Sequence, residues 1–134
     1  MLCRLVEQHD KPITQVVLEA AAKRGAPIEG GAYFIDVPKN YDGVNAVIEP
    51  LDSAFEDIAA GARVNRIPTR VGERYATTEL TPTSLSAGDY LAVSSGKFAK
   101  AASGSSDWIY GGVYNNPYGL TMYIVEKVPA HTVA

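Results

Sequence analysis

The alternation of apolar and polar residues fails over residues 108–128, where nearly every position is apolar, aromatic or glycine. Asn116, Pro117, Tyr118 and Gly119 interrupt the run. Pro presets φ for the first corner of a turn, and Gly can take the left-handed bulge position of a three-residue loop. A hairpin follows in which Asn116 faces Leu120, and Tyr114, Gly112, Tyr110 and Trp108 face Met122, Ile124, Glu126 and Val128 on one side. Val113 with Tyr123, Gly111 with Val125 and Ile109 with Lys127 occupy the other. A hairpin of a small domain usually alternates apolar-in with polar-out. Here only Glu126 and Lys127, near the open end, break the apolar character. The second face is therefore expected to meet another layer of the chain or another protein. The notch at Gly111 and Gly112 is the expected place for an intruding side chain.

Upstream, Asp10, Pro12, Ile13, Val16, Val17 and Ala20, with Gly25 beyond, have the spacing of a short amphipathic helix capped by Asp10. The β-branched pair Val16 and Val17 supports a competing reading, a strand through residues 14–18. Gly30 and Gly31 open an apolar strand over residues 32–37, which Pro38 closes. Asp42 and Gly43 form a turn into a second strand over residues 44–48. Ser53 and Glu56 match a capping box for a two-turn helix burying Phe55, Ile58 and Ala59 and stopping at Gly61. From residue 62 the pattern is β: strands over 74–80, 90–93 and 97–101, a small polar loop at 102–107, then the hairpin, ended by Pro129. Residues 28–34 and 85–91 echo each other faintly.

The expected fold is mainly β with one or two short helices (α+β), a small antiparallel β-barrel or sandwich with an N-terminal helical and β lobe. Residues 1–61 would form the lobe and 62–134 the β domain, or the whole would be one compact unit. At 134 residues the chain has room for one real core, and 46% apolar with 20% charged residues excludes disorder as its main state. No apolar run approaches the roughly 20 residues that cross a bilayer, and the first residues lack the continuous apolar stretch of a secretory signal. A single cysteine, Cys3, leaves no internal disulfide and fits a chain made in a reducing cytoplasm. The net charge of −3 argues against general nucleic-acid binding.

Candidate chemistry is sparse. His9 and His131 lie near opposite ends and share no ligand spacing with Cys3. Glu49, Asp52, Glu56 and Asp57 are better read as helix-start acids than as a catalytic pair. Neither glycine pair leads into a phosphate-binding loop. No catalytic, cofactor-binding or metal-binding residue is expected, and no small-molecule substrate.

Two groups point to contacts with protein. Arg63, Arg66, Arg70 and Arg74 are four of the six arginines. Pro68 and Gly72 make that segment extended, either a solvated surface or an arm reaching acidic groups. Tyrosine is in surplus, eight against three Phe. Trp108, Tyr110 and Tyr114 would stand in a row, with Tyr118 and Tyr123 close by. That row could line the core, meet a protein, or stack sugars or bases.

The segments 71–78 (Val-Gly-Glu-Arg-Tyr-Ala-Thr-Thr), 86–93 with Gly96, Lys97 and Phe98, 110–114 (Tyr-Gly-Gly-Val-Tyr) and 125–128 together resemble the head decoration, or cement, proteins of tailed bacteriophages. The resemblance covers roughly residues 70–128. It implies a compact β-barrel or sandwich on the capsid exterior, made in the bacterial host cytoplasm and incorporated into the virion. Its partner would be the major capsid protein, and a further copy of itself is possible. A carbohydrate-binding or adhesion module of a virion is the alternative it leaves.

Overall fold

The computed structural model describes residues 2–6, 12–36, 57–115, 119 and 121–133. The strands are β1 Leu2–Val6, β2 Thr14–Val17, β3 Ala22–Lys23, β4 Pro27–Ile28, β5 Tyr33–Asp36, β6 Asp57–Ile58, β7 Arg63–Pro68, β8 Arg74–Thr77, β9 Tyr90–Ser94, β10 Lys97–Lys100, β11 Gly104–Asn115 and β12 Thr121–Val133. A six-stranded sheet has the order β1-β8-β12-β11-β9-β10, a four-stranded sheet the order β2-β7-β5-β4, and β3 pairs with β6. The strand pairs are antiparallel and the sheets do not close into a barrel, so the expected mainly-β fold takes its sandwich form. Both main sheets draw on chain from either side of residue 61, since β1 joins the six-stranded sheet and β7 the four-stranded one.

Core packing follows from register. Phe34 on β5 faces the large sheet and packs with Tyr75, Leu91, Phe98, Trp108, Tyr110 and Val125. The opposite face of the small sheet carries Ile35, Val64 and Val16, which close a second cluster with Leu18, Ala26, Ala22 and Ile58. The middle of the four-stranded sheet, at Phe34, Ile35, Val64 and Ile67 on β5 and β7, is thus buried on both faces, while β2 is largely exposed, and β3 and β6 supply part of the outer cover. Thr77 ties the layers together by donating its hydroxyl to the Gly25 carbonyl at 2.9 Å.

The N-terminal helix is not formed. Thr14–Val17 is strand β2, with Val16 opposite Val64 on β7. β-branched side chains lose rotamer freedom in a helix and pack well on a pleated surface, so the ladder with β7 decides the outcome. The second helix is corrected where it can be seen: Asp57–Ile58 is strand β6, paired with Ala22–Lys23. The proposed cap at Ser53 and Glu56, Phe55, and the strand over 44–48 lie outside the described residues. The helical content among the described residues is one 3-10 turn, Glu29–Gly31.

Two further boundaries move. Gly104–Asp107, expected to loop, opens β11, and β12 runs through Pro129 to Val133. Ser106 pairs with His131 and Trp108 with Lys127, so Asp107 spans the three residues 128–130. Pro129 sits in that bulge, where its missing N–H interrupts no regular ladder bond.

The hairpin register holds at Tyr114–Met122, Val113–Tyr123 and Gly112–Ile124, then slips by one. Tyr110 faces Val125, Ile109 faces Glu126 and Trp108 faces Lys127. Gly111 is the additional residue of a β-bulge, and Gly112 has φ +107°.

Candidate protein-interaction site

The bulge divides the aromatic row. Facing pairs share a side of the sheet, so Trp108 and Tyr110 point with Val125 into the core. Tyr114 points the other way with Met122. Trp108 is 1% exposed and Tyr110 6%. Trp108 stacks edge-on with Phe34 and Phe98 at 5.6 and 5.2 Å, and Lys127 Nζ lies 5.0 Å above its ring. Tyr123 is half-buried, 6.5 Å from Tyr110. Trp108 and Tyr110 are core residues with no open ring face for a sugar or a base. Tyr118 lies outside the described residues.

The notch at Gly111 is filled from within. A Cβ at position 111 would lie 2.6 Å from Ile124 Cγ2 and 3.3 Å from Arg74 Nη2. The intruding groups are thus the chain's own Ile124 and Arg74.

The four arginines are not one arm. Arg63 stands exposed on β7, opposite Val17. Arg66 is engaged by neighbouring groups of the chain at the surface: its Nε donates to Thr14 Oγ1 at 2.7 Å, Nη1 to Glu29 at 3.0 Å, and its guanidinium lies 4.3 Å over the Tyr33 ring. Arg74 approaches Glu126 at 3.8 Å, an ion pair too long for a hydrogen bond, and its Nε is buried with no hydrogen-bond partner. Arg70 is exposed in the turn between β7 and β8.

That turn marks the surface the sequence did not single out. β1 ends, β2 begins, β7 ends and β8 begins at the same end of the sandwich, because Val6 pairs with Arg74 and Thr14 with Arg66. The described residues leave six large apolar side chains exposed, and four of them belong to this end: Leu5, Val6, Ile13 and Val71. Val6, Ile13 and Val71 are each about half exposed. The turn beneath Val71 is fixed by Glu73, which is 1% exposed and whose carboxylate accepts from the Arg70 N–H at 2.6 Å and the Tyr75 hydroxyl at 3.1 Å. Gly72 N–H donates to the Lys127 carbonyl and Lys127 N–H to that of Glu73, locking the turn to β12. Exposed apolar side chains gathered at one end, with exposed Arg70 in the same turn, make this end the candidate interaction surface. No pattern reveals it in sequence, since strand pairing alone brings Leu5, Val6, Ile13 and Val71 to one end of the fold.

The expected acids Glu49, Asp52 and Glu56, and His9, lie outside the described residues. His131 stacks on Tyr90 at 4.4 Å. Among the described residues, no three His, Cys, Asp or Glu side chains converge as metal ligands. Comparisons with protein families, with curated proteins and with solved structures give no match to this chain.

Proposed function

We propose that this chain is a virion structural protein that binds the capsid exterior and braces contacts between major capsid subunits. The observation that carries the reading is the exposed apolar corner formed by Leu5, Val6, Ile13 and Val71, mounted on a turn that buried Glu73 holds rigid. A clamp gains from such rigidity, because little conformational entropy is lost when a preorganised surface docks. The resemblance of residues 70–128 to phage head decoration proteins supplies the class of partner, the major capsid protein.

Mass spectrometry of purified particles from the source tests the first half: the chain is expected among the virion proteins. Cosedimentation with those particles, stripped of the native protein, tests the surface. Val71→Asp places a charge in the corner without touching the core and is expected to abolish pelleting. A chain missing from the particles, or pelleting unaffected by V71D, overturns the proposal.

A further inference from the structure

The four-stranded sheet ends at β2, and among the described residues no strand lies beyond it. The direction of its unpaired groups follows from Leu18, whose N–H donates to Ala62 and whose carbonyl accepts from Gly61. Backbone polarity alternates along a strand. Thr14 and Val16 therefore turn their N–H and C=O toward β7, as Leu18 does, while Ile13, Gln15 and Val17 turn theirs outward. Those same three side chains share one face of the sheet. All three are exposed, Ile13 at 50% and Val17 at 48%.

Edge strands usually carry a guard against pairing with another chain: a charge, a mid-strand proline or a covering segment. Residues 13–18 contain no charged residue and no proline. The outward row is also self-complementary. In an antiparallel pair centred on Gln15, Ile13 of each copy faces Val17 of the other and the two Gln15 residues face each other. The three outward N–H and three outward C=O groups of each copy then meet their counterparts, and no like charges oppose. A strand of arbitrary sequence would satisfy the backbone but has no reason to place an aliphatic against both Ile13 and Val17.

We propose that β2 is a homotypic docking edge, through which a second copy of this chain adds by antiparallel β2–β2 pairing about Gln15. The pair forms an isologous dimer and joins two four-stranded sheets into one of eight strands. This dimer is separable from the capsid reading, since it uses the edge of β2 and shares with the Val71 corner only Ile13, which neither test variant alters.

The discriminating variant is Gln15→Pro. The Gln15 N–H points away from β7, so proline removes an intermolecular donor and no internal ladder bond. Val17→Lys is the second variant, setting an ammonium against Ile13 of the other copy. Sedimentation equilibrium of the purified full chain is expected to give a monomer–dimer equilibrium. Each variant should weaken it by about tenfold or more, with an unchanged far-ultraviolet circular dichroism spectrum. A wild-type chain that remains monomeric up to millimolar concentration overturns the proposal. So does a dimer that neither variant weakens. Particle binding by V71D and dimerisation by Q15P are read separately, so either proposal can fail alone.

Discussion

Gly31 lies against Trp108 of the large sheet, and its substitution has a predictable cost. It follows the left-handed Gly30 in the 3-10 turn, has φ +90°, and lies against the indole of Trp108. A Cβ there would be driven into Nε1 and would stand 3.0 Å from Cδ1. The indole has no room to retreat. It is wedged among Phe34, Phe98 and Tyr75, with ring centroids 5.2 to 6.2 Å away, under the Lys127 ammonium. Gly31→Ala therefore combines left-handed strain of about 1–2 kcal/mol with overpacking of about 1–3 kcal/mol. The neighbouring Gly30 separates the two effects. It has φ +69° and nothing within 4 Å of a built Cβ, so Gly30→Ala should cost only the strain. Urea unfolding followed by far-ultraviolet circular dichroism should place G31A roughly 2–5 kcal/mol below wild type and G30A about 1–2 kcal/mol below. Trp108→Phe removes Nε1, and in that background the excess cost of G31A should shrink by about 1 kcal/mol or more. Equal losses for G30A and G31A, or an excess that survives W108F, would show that close packing on Trp108 does not set the cost.

Other expectations follow from single contacts. Burial, and secondarily the charge of Tyr123, raise the pKa of Tyr110 above 10.0. A phenol that ionises later in the folded state stabilises the fold below its unfolded pKa and loses that contribution as pH rises through the folded one. Stability should therefore fall above about pH 10, and Tyr110→Phe should flatten that fall in unfolding midpoints measured across alkaline pH. Gly111→Ala should cost about 1–3 kcal/mol by pressing on Ile124, and Ile124→Ala should relieve part of it in a double-mutant cycle. Arg66→Ala breaks a hydrogen bond to Thr14, an ion pair with half-exposed Glu29 and the contact with Tyr33. After discounting for solvent screening it should lower stability by about 1–2 kcal/mol while leaving particle binding intact. Lost binding by a folded R66A protein would return Arg66 to the interface.

The elements legible in the sequence are those whose signals are local. Ser95 and Gly96 take the left-handed conformations of a tight turn, and β9 and β10 follow on either side. The hairpin register can be counted outward from its turn until Gly111, where a residue without a side chain lets the strand bulge and the count slips by one. What was not legible depends on distant partners. Thr14–Val17 carries both a helical and an extended pattern, and β7, some fifty residues away, decides between them. Gly104–Asp107 is polar and small and becomes a strand because the tail of β12 lies beside it; buried Ser106 pins it by donating to the Leu91 carbonyl.

The same one-residue slip decides what the aromatics do. Without it, Trp108, Tyr110 and Tyr114 would line one face, and a row of three rings could serve as a stacking platform. With it, Trp108 and Tyr110 enter the core and Tyr114 leaves for the opposite face. The large apolar side chains exposed among the described residues are then aliphatic, and four of the six, Leu5, Val6, Ile13 and Val71, stand at strand ends on one end of the fold. Aliphatic contacts offer sugars and bases little, because they supply neither a π-face nor a fan of hydrogen bonds. They fit a protein surface of matching shape, and that is the physical support for the proposal of a protein partner.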